Sequence, residues 1–233
     1  MALTDRCRSK LQEDLVRLYL RLNGFFVSTF IVHSPNSGEN YTEIDALAVR
    51  LPFNSEPERE IGPDDLLDLS ATYTELVLCE VKSSGQQLRF NSALVDRPSA
   101  IKTVLRWSGL FEGSEIDSIS KEVSESLILK NRSSERPPTV LGPRGVRIRA
   151  LLFSPERNNR RPKTEPWYIE GPAVMRYVWK CLCPQVPRQS CATTYGLQVW
   201  GKHEPLVRYF KARASAGDPG NMSDLYAAIE GIQ

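Results

Sequence analysis

In the apolar run 75–82, Glu80 and Lys82 stand two residues apart, so a pleated strand would project both from one face while Val81 points away. A third ionisable group, Asp45, lies in an apolar stretch between Ile44 and Val49, where a carboxylate is costly unless something compensates its charge. A divalent cation is one such partner. If the two segments are neighbouring strands, Asp45 and Glu80 converge on the hard-oxygen coordination of Mg²⁺, which takes one or two carboxylates beside waters and substrate oxygens. The ion would polarise a phosphoryl oxygen and acidify a water, and Lys82 would orient the nucleophile or offset the developing charge. The chemistry fits phosphodiester hydrolysis. Glycoside cleavage also uses paired carboxylates but does not require a lysine two positions from one of them.

These side chains need strands and a helix to position them. Leu11, Leu15, Leu18 and Leu22 recur at helical spacing and Asn23-Gly24 supplies a stop, which predicts a helix over about 4–23. With Leu11 set at zero, Glu13 falls at about 200°, on the lip of the apolar arc, and Asp14 at about 300°, on the side expected to face water. Glu13 is therefore a fourth candidate. Residues 25–33 and 41–51 flank dense turn chemistry at 34–38 and read as a hairpin; 52–73 is an acidic insertion with a short helical possibility at 64–69. Residues 75–82 are apolar on both faces, which suggests a central strand. Helical patterns at about 97–111 and 115–131, a strand at 146–154, and helices near 171–182, 204–214 and 221–230 complete the order. This predicts an α/β fold, a mixed sheet flanked by helices. The expected organisation is a core over 1–155 and a helical extension, 156–233, packed on the same domain.

A helix with a glutamate ahead of Gly24-Phe25, an apolar strand, Glu43-Ile44-Asp45, then Cys79-Glu80-Val81-Lys82 resembles the PD-(D/E)XK nuclease superfamily. The likeness is greatest to its archaeal Holliday-junction resolvase and Mrr-type restriction endonuclease branches, and covers about residues 8–110 with the strand at 146–154. It implies a restriction endonuclease-like core of order αβββαβ. It also implies Asp45, Glu80 and the backbone carbonyl of Val81 as Mg²⁺ ligands, with Mn²⁺ able to substitute. Lys82 and Glu13 complete the catalytic set, and products would carry 5′-phosphate and 3′-hydroxyl ends. Ile44 stands where the family pattern has proline, and the acidic insertion accounts for the long separation of Asp45 and Glu80. That insertion could lie over the site or away from it. Gln86 or Gln87 could match the glutamine that some branches place after the motif.

Of 233 residues, 41% are hydrophobic and 25% charged, ordinary globular values that exclude collagen-like and wholly disordered classes. No apolar run approaches a membrane span, the first ten residues show no signal-peptide pattern, and five cysteines agree with a reducing compartment; a soluble, cytoplasmic protein is expected. The formal charge of +2 conceals an acidic block at 54–80 and a basic one at 130–163. The basic block makes Arg144, Arg147, Arg149, Arg160, Arg161 and Lys163 candidates for DNA backbone contact. Cys181, Cys183, Cys191 and His203 have zinc-ligand types, but their tight spacing and apolar neighbours favour packed thiols. Trp167, Tyr168, Trp179 and Trp200 read as core rather than base-stacking groups.

The expected activity is thus a metal-dependent deoxyribonuclease of repair, recombination or defence, endonuclease ahead of exonuclease. Its substrate is DNA ahead of RNA, with a homodimer or partner protein open. The alternative is a catalytically silent scaffold of the same fold whose acidic insertion docks a partner.

Overall fold

The computed structural model describes residues 3–33, 40–57, 59–125, 137–157, 166–185 and 197–231. In chain order the elements are α1 (Asp5–Leu22), β1 (Phe26–His33), β2 (Asn40–Arg50), β3 (Thr74–Val81), α2 (Ser92–Asp96), α3 (Pro98–Ser108), α4 (Ile116–Val123), β4 (Thr139–Leu141), β5 (Val146–Ser154), β6 (Tyr168–Glu170), α5 (Gly171–Leu182), α6 (Glu204–Ala212) and α7 (Met222–Glu230). The six strands form one mixed sheet in the order β1-β2-β3-β5-β4, with β6 also on β5. The pairs β1–β2, β2–β3 and β4–β5 are antiparallel; β3–β5 and β5–β6 are parallel. The architecture is α/β, as the element order predicts.

Alternation along β3 divides the core. Leu76 and Leu78 pack toward α3 and α4, whereas Val77 and Cys79 pack toward α1 and α5. β5 repeats the division, with Ile148, Ala150 and Leu152 on the first face and Leu151 and Phe153 on the second. Because helices cover both faces, the middles of β3 and β5 are apolar on both sides, with charged residues confined to Glu75 and Glu80 on β3 and to Arg147 and Arg149 on β5. The α1 face also takes in Trp167, Val174, Leu206, Phe210 and Leu225, so the C-terminal helices share its core.

α1 starts where the Thr4 side chain accepts the Cys7 amide at 3.3 Å and stops at Asn23, followed by Gly24 at φ +85°. At φ +85° position 24 favours glycine on conformational grounds, and a Cβ there would also displace the exposed Asn54 side chain, whose Oδ1 lies 2.3 Å from its place. One expectation fails on this helix. Asp14 does not face water: it is 7% exposed, as is Arg17, because the short 3₁₀ segment Leu197–His203 covers the polar side of α1 while the sheet covers the apolar side. Single-face periodicity assumes one buried arc, and α1 is enclosed on two.

Two short strands, β4 and β6, are additional to the predicted elements; three residues are too few for alternation to register. α2 is likewise additional, and the end of the helix predicted to reach 131 lies outside the described residues. The insertion contains the 3₁₀ turn Asp65–Leu67 and is pinned to the body by Leu67, fully buried, and by Tyr19, whose hydroxyl donates to Asp64 at 2.8 Å. It joins the Arg50 end of β2 to the Thr74 end of β3. Asp45 and Glu80 lie at the other end, five residues or about 16 Å away along the strands. The insertion does not cover them.

Candidate active site

The β2–β3 ladder ends at the pair Ala46–Cys79, with Asp45 and Glu80 the next residue on each strand. A β-bulge makes this juncture irregular. Ser28 pairs with Leu47 and Phe30 with Ile44, so Asp45 and Ala46 together oppose Thr29 alone. Ile44 and Ala46, two apart, consequently pack on opposite faces of the sheet. The extra residue turns the Asp45 carboxylate along the sheet to the end of β3, where Oδ2 accepts the Val81 amide at 2.7 Å. A residue's N–H and C=O leave a strand on the same edge, so the Val81 carbonyl belongs to the Asp45 side of β3.

Glu80 is 3% exposed. Its Oε2 accepts from Lys82 Nζ at 2.5 Å, while Oε1 is buried without a hydrogen-bond partner. Burial raises the Glu80 carboxyl to about 7, opposed by the Lys82 ammonium and the Asn91 amide and reinforced by the Asp45 charge. Asp45 is also raised, chiefly by burial, against the lowering effect of the Val81 amide and Lys82. Neighbouring strands therefore each contribute one carboxylate whose charged form is disfavoured by burial. An exposed ion pair is the ordinary use of Glu-X-Lys; here the pair is nearly enclosed.

Glu13 joins the group from α1. Burial and then the Asp45 charge raise its carboxyl, and Arg17 opposes both. Arg17 was not singled out from the sequence, yet it ties the helix to the site. Its guanidinium donates to the Asp45 backbone carbonyl at 2.9 Å, to Glu13 at 2.8 Å and to Asp14 at 2.9 Å. The signal was present in the spacing, since Arg17 lies three and four residues beyond two acids. Between α1 and the β1–β2 hairpin runs a groove of about 500 Å³, with Glu13, Arg17 and Asp45 on its wall. Glu80 and Lys82 do not line it; they lie behind Asp45 at the end of β3.

The donor set fits a divalent ion on one specific ground: a buried carboxylate oxygen with no partner stands beside a second carboxylate of raised pKa. Among the described residues no three His, Cys, Asp or Glu side chains group closely enough to ligate one ion together, so Glu13 does not complete a three-acid cluster.

The predicted DNA-contact residues go elsewhere. Arg149 is 1% exposed and pairs with Glu75 at 3.0 Å, and Arg147 donates to both Glu75 oxygens at 2.8 and 2.9 Å. Both also hold carbonyls of the insertion, those of Leu67 and Asp68. This cluster lies near the start of β3, remote from Glu80, and its arginines serve the fold instead of a phosphate. Arg144 is exposed but engaged by Glu115 at 2.7 Å. Arg160, Arg161 and Lys163 lie outside the described residues, as does Cys191.

Cys181 and Cys183 are partly buried thiols raised by burial, and Cys183 donates to the Phe210 carbonyl at 3.2 Å. Trp167 and Tyr168 are core residues, and Trp200 packs under Arg21. Gln86 is exposed and its side chain accepts the Ser83 amide at 3.0 Å. Among the described residues, no helix is long and apolar enough to cross a membrane. Comparisons with protein-family models, curated proteins and solved structures find no match.

Proposed function

We propose that the chain is a divalent-metal-dependent nuclease of the PD-(D/E)XK kind that hydrolyses phosphodiester bonds in DNA. One observation carries the reading: the β2 bulge delivers Asp45 to the Glu80-Val81-Lys82 strand end, where a buried Glu80 oxygen has no partner. The order α1, β1–β3, intervening helices and β5 supports a restriction endonuclease-like core.

Asp45, Glu80 and the Val81 carbonyl would hold Mg²⁺, or Mn²⁺ in its place. When bound, the ion supplies Lewis-acid polarisation of the phosphoryl group and acidification of water. Burial favours the protonated forms of Asp45 and Glu80, so a bound cation would stabilise their ionised forms, and Glu80 Oε1 has no hydrogen-bond partner to compete for it. Lys82, held by Glu80, orients the attacking water and offsets charge developing on the phosphoryl oxygens. Glu13 acts as an accessory acid, and Arg17 fixes both Glu13 and the Asp45 backbone.

The test is cleavage of linear, nicked, branched and single-stranded DNA, and of matched RNA, with Mg²⁺, Mn²⁺ or EDTA. Asp45→Ala and Lys82→Ala should each reduce cleavage by about 100-fold or more while folding normally by circular dichroism. Metal-dependent cleavage that survives either substitution refutes the site. The rival reading, a silent module that docks a partner through its insertion, draws on Leu51 and Phe53, 50% and 77% exposed next to acidic residues. Absence of cleavage on every substrate favours it.

A further inference from the structure

Within the basic segment expected to hold nucleic acid, Arg147 and Arg149 are taken up by Glu75, so a second phosphate path would draw on other described residues. The groove beside Asp45 supplies one. Arg6, Lys10, Glu13, Asp14 and Arg17 are spaced four, three, one and three apart and share one face of α1, which forms a wall of that groove. Charge along the stripe is graded. At the inner end, Arg17 is occupied by Glu13 and Asp14, and Asp45 lies against it. At the outer end, Arg6 and Lys10 are exposed and have no ion-pair partner among the described residues. Lys202, on the flanking 3₁₀ segment, adds a third cation; its side chain is 55% exposed and its Nζ lies 3.5 Å from Asp14.

Eleven residues from Arg6 to Arg17 rise about 16 Å along α1, the advance of about five phosphates of one duplex strand. The hairpin side of the groove presents Ile31 and, opposite it, the exposed acid Glu43, so the cationic character lies on the α1 wall and on Lys202. We infer that Arg6, Lys10 and Lys202 hold the phosphodiester backbone of a nucleic-acid strand on one side of the scissile linkage and lead it along α1 to Asp45. This inference rests on the nuclease reading for the position of the scissile phosphate, but the cation path itself requires no hydrolysis. The acidic inner end would repel a phosphate, so the strand's hold comes from the outer cations.

The test is fluorescence anisotropy of labelled DNA and RNA strands, single and duplex, on the full chain in EDTA over a salt series, beside the cleavage assay. The variant Arg6→Ala/Lys10→Ala removes two exposed helical side chains in favour of a good helix former, and should fold. Arg106→Ala/Lys121→Ala, on the helices of the opposite sheet face, removes the same charge as a control. The groove predicts that the first variant weakens binding about tenfold and lowers the salt slope by about two, with little change in the control. Equal weakening in both variants, or wild-type binding by Arg6→Ala/Lys10→Ala, overturns it, as does a wild-type chain that binds no nucleic acid. Variant-sensitive binding without cleavage under any metal keeps the groove and overturns hydrolysis. Cleavage that the first variant leaves intact does the reverse. Tight binding of RNA alone keeps the groove and overturns DNA as its strand.

Discussion

At the scale of single residues, Glu80 combines two opposed requirements: it is enclosed, and its site depends on its negative charge. Its pKa of about 7 in the fold exceeds the ordinary 4.5, so the native state binds this proton more tightly than the unfolded chain does. Glu80 therefore favours folding below about 4.5, and that contribution is lost as pH rises through about 7. His203 has the opposite sign. Burial lowers it to about 4, so its contribution is present above 6.5 and is lost as pH falls toward 4. The two offset each other in the wild type. Compared with Glu80→Gln in EDTA, the wild-type Tm should fall relative to the variant between about pH 5 and pH 7.5; parallel Tm curves would contradict the buried, protonating carboxylate. Residue types and periodicity single out Asp45, Glu80, Lys82 and Glu13; the fold sets Asp45 against the Glu80-Val81-Lys82 end of β3 and Glu13 on the groove wall. The fates of Arg147 and Arg149 were not legible, because their partner Glu75 is distant in sequence and becomes a neighbour only through the parallel β3–β5 ladder.

Among the elements, β3 has two chemically distinct ends. Its C-terminal end carries the candidate site and its N-terminal end carries Glu75, fully buried between Arg147 and Arg149. Glu75→Gln leaves two guanidinium groups without their carboxylate and should reduce stability by about 3 kcal/mol, lowering Tm by roughly 10 °C. Cleavage assayed well below that Tm should stay within about twofold of wild type. A proportionate loss of turnover in fully folded protein would show the ends to be coupled. Helix and strand periods located most elements, since α1, β2, β3 and β5 are long and strongly patterned. The bulge at Asp45 was not readable, because an extra residue in a strand changes pairing without changing composition.

For the molecule as a whole, α1 is the shared centre. It is buried against the sheet on one side and against α5 and the 3₁₀ segment on others, and one hydrophobic cluster runs from Ala46 and Val77 through Leu15 and Leu18 to Phe210 and Leu225. Such continuity predicts one cooperative transition, with calorimetric and van't Hoff enthalpies equal. Two resolved transitions would instead mark the C-terminal helices as a separate unit. The remote attachment of the insertion separates chain distance from spatial distance. Thirty-five positions separate Asp45 from Glu80 along the chain, yet the β2–β3 ladder that ends beside them, the bulge and the Val81 amide bring them together in space. A change in the length of that interval would alter the far end of the sheet and leave the spacing of the two acids to the ladder, so the count of residues between them carries no information about their separation.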